Sequence, residues 1–126
     1  MSDHRFSVSD VARLDNLMAF PNPFDDELGT RFSFTFTGAQ PFDMLLRVFT
    51  VSGRLIYEHT ERTLNPGYHQ IPWDGRDAEG QKLANGIYLY KLVVKSGSGN
   101  VIRQGSLVKL RKPHHVDVTD ETGTPP

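Results

Sequence analysis

A chain of 126 residues has the size of one domain, and at that size about two-thirds of the unfolded surface can be buried on folding. Its 37% hydrophobic content and net charge of −1 exclude an intrinsically disordered chain and offer no basic face for nucleic acid. With no cysteine, disulfides, zinc–thiolate centres and thiol catalysis are ruled out, and no apolar run reaches the length of a membrane span.

Residues 1–16 mix charged and apolar side chains without a sustained period and are expected to be a linker or a loosely docked N-terminal segment. Met1 is followed by polar SDHRFSVSD rather than the apolar core of a signal peptide, so the chain is expected to be a piece of something longer. In LMAFPNPF, Pro21 and Pro23 forbid a central strand and favour an extended, edge-like lead-in. TRFSFTFTG then alternates, with Phe32, Phe34 and Phe36 on one side and Arg31, Ser33, Thr35 and Thr37 on the other, as a half-buried strand does.

FDMLLRVFTVSGRLIYEH reads as a hairpin: Met44, Leu46 and Val48 share a face, Gly53 makes the turn, and the chain returns from Leu55. Asn65–Gly67 is a second turn, after which His69, Ile71 and Trp73 alternate on one face. NGIYLYKLVV places Tyr88, Tyr90, Leu92 and Val94 on one face, KSGSGN is a flexible turn, and VIRQGSLVKLRK closes the set. About seven short strands separated by turn signals indicate an all-β, immunoglobulin-like β-sandwich of antiparallel strands over residues 17–112. The polar, proline-ended residues 113–126 are expected to be a disordered tail.

The stretch PWDGRDAEGQKLANG could be a cation-binding loop or a corner between strands. A helix–loop–helix calcium loop needs oxygen ligands at alternate positions, but counting from Asp74 these are Arg76 and Ala78. An irregular site would have to be assembled from Asp74, Asp77 and Glu79. The corner reading is simpler: Asp side chains accept turn N–H bonds, while Gly75, Gly80 and Gly86 supply positive φ. Trp73 is either core or a sugar-stacking platform, and its phase with Ile71 favours core. His4, His59, His69 and the adjacent His114 and His115 form no metal or catalytic spacing, and SGSGNVI lacks the third glycine and the helix of a phosphate loop. Asp25, Asp26 and Glu27 are expected to be solvated in a turn. No cofactor, metal site or catalytic group is expected.

Together these stretches resemble the C-terminal sorting domains of proteins exported by the type IX secretion system of Bacteroidota-type bacteria. Pro21, Asn22, Pro23 and Phe24 match the opening Pro-Asn-Pro-Phe, and Gly53 and Arg54 the hairpin turn. Trp73, Asp74 and Gly75 match the corner, followed by Asp77 and Gly80. Gly86 and Tyr88 match the Gly-x-Tyr of the next strand, and Leu107, Val108, Lys109, Leu110 and Lys112 the apolar strand with its basic finish. Thr50 stands where the family often has Asp, and the chain runs 14 residues past Lys112. VFTVSG with a long final hairpin is similar to the C-terminal domain of the system's own gingipain-like signal peptidase, the sortase.

The resemblance implies a non-catalytic signal domain that takes its parent protein through the periplasm and outer membrane to the cell surface. Its implied partners are the translocon and an outer-membrane shuttle protein, and a monomer is expected in isolation. Two other readings stand beside it. The immunoglobulin-like domain of flagellar hook-capping proteins has a similar corner and would make this a structural module. A carbohydrate-binding module of a secreted hydrolase would need Trp73 to face solvent.

Overall fold

The computed structural model describes residues 12–97 and 99–111. Seven antiparallel strands form two sheets, as the alternation predicts: β1 (Arg13–Phe20), β2 (Thr30–Thr37), β3 (Phe42–Thr50), β4 (Leu55–Leu64), β5 (Gly67–Trp73), β6 (Gly86–Ser96) and β7 (Gly99–Lys109). The first sheet has the order β1-β2-β5 and the second β4-β3-β6-β7. The expected tail, 113–126, lies outside the described residues.

The sheets face each other through their alternating apolar positions. Phe32, Phe34 and Phe36 of β2 are buried against Met44, Leu46 and Val48 of β3 and Tyr90, Leu92 and Val94 of β6. Ring contacts across the gap join Phe36 to Phe42 at 4.4 Å and Phe32 to Tyr90 at 5.0 Å. Each such side chain contributes about 1.5–3 kcal/mol over leaving it in water, which makes this layer the main source of stability. His69 sits at the rim of the same layer, 5.6 Å from the Phe34 ring, with its Nε2 bonded to the Asn65 carbonyl at 2.7 Å.

The boundary expected at residue 17 is corrected, because β1 begins at Arg13 and buries Leu14. The cause is local. The pairing with β2 slips between Asp15 and Met18, with Asn16 at φ 59°, so the inward positions of this strand never form an unbroken alternation. The β3–β4 turn closes with the Gly53 N–H on the Thr50 carbonyl at 2.9 Å. Thr50 Oγ1 also accepts the Arg54 N–H at 3.1 Å. The threonine thus makes a turn-capping bond of the kind an aspartate side chain also makes.

Candidate functional site: a latch at one end of the sandwich

Strands β1, β2, β5, β6 and β7 each have one end where Phe20, Thr30, Trp73, Gly86 and Lys109 lie, and the motif residues collect there. The chain leaves β1 through Pro21 and Pro23 and turns across the end of the sandwich towards β7. There the Asn22 carboxamide behaves as a peptide group: its Nδ2 donates to the Ser106 carbonyl at 3.3 Å and its Oδ1 accepts the Val108 N–H at 2.9 Å. A carboxamide carries the donor and the acceptor this needs on separate atoms spaced as in a peptide group. Phe24 continues the pairing, its N–H donating to the Val108 carbonyl and its carbonyl accepting the Leu110 N–H, both at 2.9 Å. Residues 22–24 therefore act as a short parallel strand on the outer edge of β7.

The Phe24 ring is buried, 5.5 Å from Trp73. Trp73 is only 4% exposed, stacks on Tyr57 at 5.2 Å and lies 6.0 Å from Phe32, so it ties the two sheets together. Its Nε1 donates to the Arg76 carbonyl at 2.9 Å, which folds the corner back over the indole. Gly75 has φ 82°, and a Cβ there would sit 2.6 Å from the Phe24 ring. At Gly29 a Cβ would collide with the Trp73 carbonyl. These two glycines allow close approach as well as an unusual φ.

In the corner itself both aspartates are occupied by backbone. Asp74 Oδ1 accepts the Arg76 N–H at 3.0 Å. Asp77 Oδ1 accepts those of Glu79 and Gln81 at 3.0 and 2.8 Å. The Ala78 N–H reaches the Ile56 carbonyl at 2.9 Å and pins the corner to β4. Gly80, at φ 84°, closes the turn with its N–H on the Asp77 carbonyl. This is the corner geometry, with each aspartate serving a turn.

The electrostatic part of the latch lies beneath. Lys109 is fully buried, and its Nζ donates to Asp26 Oδ1 at 2.7 Å and to the Leu83 carbonyl at 2.8 Å. Asp26 Oδ2 also takes the Arg111 Nε at 3.0 Å, while the Arg111 N–H bonds Asn85 Oδ1 at 2.9 Å. The Lys109 hydrogen bond holds the Asp26 carboxyl below its usual range, against partial desolvation and with help from Arg111. Gly86, at φ 151°, starts β6 beside this cluster. Tyr88 is buried, donates to the Ala84 carbonyl at 2.7 Å, and has its hydroxyl pKa raised by burial.

The expectation that Asp25, Asp26 and Glu27 are solvated is corrected for the first two. Asp25 is buried and caps the N–H groups of Glu27 and Leu28 at 3.0 and 3.1 Å, and Asp26 is the counter-ion of a buried lysine. Asp26, Leu83, Asn85 and Arg111 are latch residues the motifs did not include. A signal for them was present: Leu107 and Lys109 share one face, so a strand buried at Leu107 carries an ammonium inward, and that ammonium needs a carboxylate. Gly53 and Arg54 lie on the β3–β4 turn at the same end, where Thr50 pairs with Tyr88 and Arg54 flanks the corner at Asp77–Glu79, and Leu110 is exposed. Lys112 lies outside the described residues. Among the described residues no group of three or more His, Asp or Glu side chains is placed to hold a metal ion.

Two facing antiparallel sheets with their last strand latched to the lead-in define an immunoglobulin-like module. The chain belongs to the FlgD Ig-like domain family, whose model matches residues 22–100. Among solved structures it is similar to dimeric latent PorU from Porphyromonas gingivalis, at 23% identity and a TM-score of 0.66, over 80% of this chain and 10% of that one. PorZ of the same organism, described as an essential surface component of the type IX secretion system, aligns at 21% identity and a TM-score of 0.50, over 75% of this chain and 11% of PorZ. FlgD from Xanthomonas campestris, the subject of work on hook capping in flagellar assembly, aligns at 17% identity and a TM-score of 0.50, over 78% of this chain and 64% of FlgD. The chain thus spans about a tenth of PorU and of PorZ, and these likenesses concern the fold. No curated protein matches the chain.

Proposed function

We propose that this domain is a non-catalytic targeting module: a C-terminal signal domain that takes its parent protein through a type IX secretion system to the cell surface. The observation that carries the reading is the latch. Pro21–Phe24, the Trp73–Gly80 corner and the basic final strand, far apart in sequence, are bonded into one unit. The order of motifs that resembles sorting domains is therefore also the list of parts that holds the last strand in place. The fold shared with PorU and PorZ supports the same reading. Its partners are the translocon and an outer-membrane shuttle, which meet the parent in the periplasm and carry it across the outer membrane.

The test is export of a periplasm-directed reporter fused to residues 12–126, in a bacterium with a type IX system. The reporter reaches the surface or medium in wild type and stays in the periplasm without the translocon. Deleting residues 106–126 abolishes export, because it removes the latched end of β7. Deleting 113–126 alone leaves export intact if the sequence beyond the latch is passive. Surface delivery without the translocon, or none in wild type from a folded fusion, overturns the assignment.

The family match favours a second reading, a structural module of the hook-capping kind. Under it the fusion is never exported, and the domain copurifies with filament or cap components. The carbohydrate reading loses its platform, since Trp73 is buried between the sheets.

A further inference from the structure

Two open sheets leave four edge strands: β1 and β5 in one, β4 and β7 in the other. An edge is a row of unpaired N–H and C=O groups onto which a foreign strand can add, and folded proteins blunt their edges accordingly. Here β1 has its slipped register and the positive φ of Asn16. β5 has Pro72, which offers no N–H. β4 is paired irregularly at two points, has Thr63 at φ 56°, and gives its Ile56 carbonyl to the corner.

β7 differs. It pairs with β6 without a break, from Gly86↔Lys109 to Ser96↔Gly99. In an antiparallel ladder the N–H and C=O of one residue point to the same side, alternating along the strand. Those of Val108 point away from β6, into the latch, so those of Asn100, Ile102 and Gln104 also point away. Asn22 and Phe24 cover the edge from Ser106 to Leu110 and stop there. Upstream, among the described residues, the outward backbone groups of Asn100, Ile102 and Gln104 meet only the Arg103 guanidinium, which donates to the Ile102 carbonyl at 3.0 Å. All three residues are exposed.

Along β7 and the neighbouring β6 the charge has one sign, and the acid across from Lys95 in β3, Asp43, accepts the Thr63 N–H at 2.9 Å on the side away from this edge. No Asp or Glu occurs from Gly86 to Arg111. Lys91 lies across from Gln104 and Lys95 across from Asn100 on the outer face, while Arg103, across from Leu92, adds its charge on the other face of β7. On the neighbouring β1, Asp15 is tied to Arg13 at 2.7 Å. We propose that the edge of β7 from Asn100 to Gln104 is a docking site for an extended partner segment bearing acidic side chains, which adds as a further strand to the four-stranded sheet. Main-chain bonds hold such a segment and its carboxylates select it. A second copy fits worse, because its β7 edge carries the same Arg103 and none of the carboxylates that this edge selects. The proposal deepens the targeting reading and rests on it only in taking the partner to be the machinery that reads the domain.

The test uses the whole 126-residue chain and a short synthetic peptide alternating valine or threonine with aspartate or glutamate. The expected result is saturable binding that weakens with salt and slows hydrogen exchange at the Ile102 and Gln104 amides. Ile102→Pro removes an outward N–H without touching the β6 ladder and lowers affinity by roughly tenfold or more. Should that variant unfold, the pair Lys91→Glu and Arg103→Glu reads the same site, and it shifts preference to a peptide with lysines in place of the acids. Absence of binding, protection at another edge, indifference to both sets of variants, or a dimer that Ile102→Pro abolishes each overturns the proposal. A wild-type fusion that is never exported while the peptide still docks on β7 overturns the targeting reading and leaves the docking site standing.

Discussion

A buried ammonium is tolerated only where its charge is met, and Lys109 meets Asp26 and the Leu83 carbonyl at hydrogen-bond distance. Because the Asp26 carboxyl is held below its usual range, the pair stabilises the fold at neutral pH and above the ordinary carboxylate range. That contribution is lost as pH falls through the lowered value. Asp26→Asn leaves the ammonium with a carbonyl alone and is expected to cost about 3–5 kcal/mol at pH 7. It also flattens the acid limb of stability against pH, and adding Lys109→Met restores part of the loss. Urea denaturation across the acid range measures all three. Equal stability of wild type and Asp26→Asn at neutral pH would remove the ion pair from the latch. Gly75→Ala gives a second residue-scale check, since the new methyl meets the Phe24 ring as well as a disfavoured φ, and the expected cost is about 2 kcal/mol or more. At Gly53 there is only the φ to object, with open space around, and alanine is expected to cost about 1 kcal/mol.

At the scale of elements, the latch is a strand made largely from one side chain. Asn22→Asp keeps the acceptor for Val108 but replaces the donor with an oxygen facing the Ser106 carbonyl. The expected result is a loss of about 1–2 kcal/mol with faster exchange at the Val108 and Leu110 amides and no change at the centre of β6. Unchanged exchange at both amides would mean that Phe24 alone holds the edge. The strands were legible where alternation is unbroken: Phe32, Phe34 and Phe36, or Tyr88 through Val94, place their faces by period alone. β1 was not, because its slip at Asp15–Met18 breaks the period. The corner was legible in kind, since aspartates and glycines in a turn have few other uses. The latch was legible only as separate motifs, because its bonds join positions 84 to 86 residues apart and local pattern says nothing about such pairs. Asp26 is expected from its neighbours to be solvated, and only the face that Lys109 shares with Leu107 hints that an ammonium turns inward to meet a carboxylate.

For the molecule as a whole, the latch joins both sheets. Trp73 belongs to the three-stranded sheet yet stacks on Tyr57 of the other, while residues 22–24, following β1, are bonded to β7. Thermal unfolding is therefore expected to be one transition, with Trp73 fluorescence and far-UV circular dichroism coinciding. Trp73→Ala is expected to cost about 3–5 kcal/mol and to lower both curves together. Two separated transitions would show that the sheets unfold independently. The same arrangement has a consequence in time. Asn22 and Phe24 are made early and their partners, Ser106 to Leu110, some 84 positions later, so a chain emerging from the ribosome carries half a fastening with nothing to fasten. The latch closes only after Arg111 is out, and a polypeptide halted short of that point leaves the Asn22 carboxamide and the Phe24 backbone without their partners. The native shape is in that sense a receipt for a chain made at least as far as the latch.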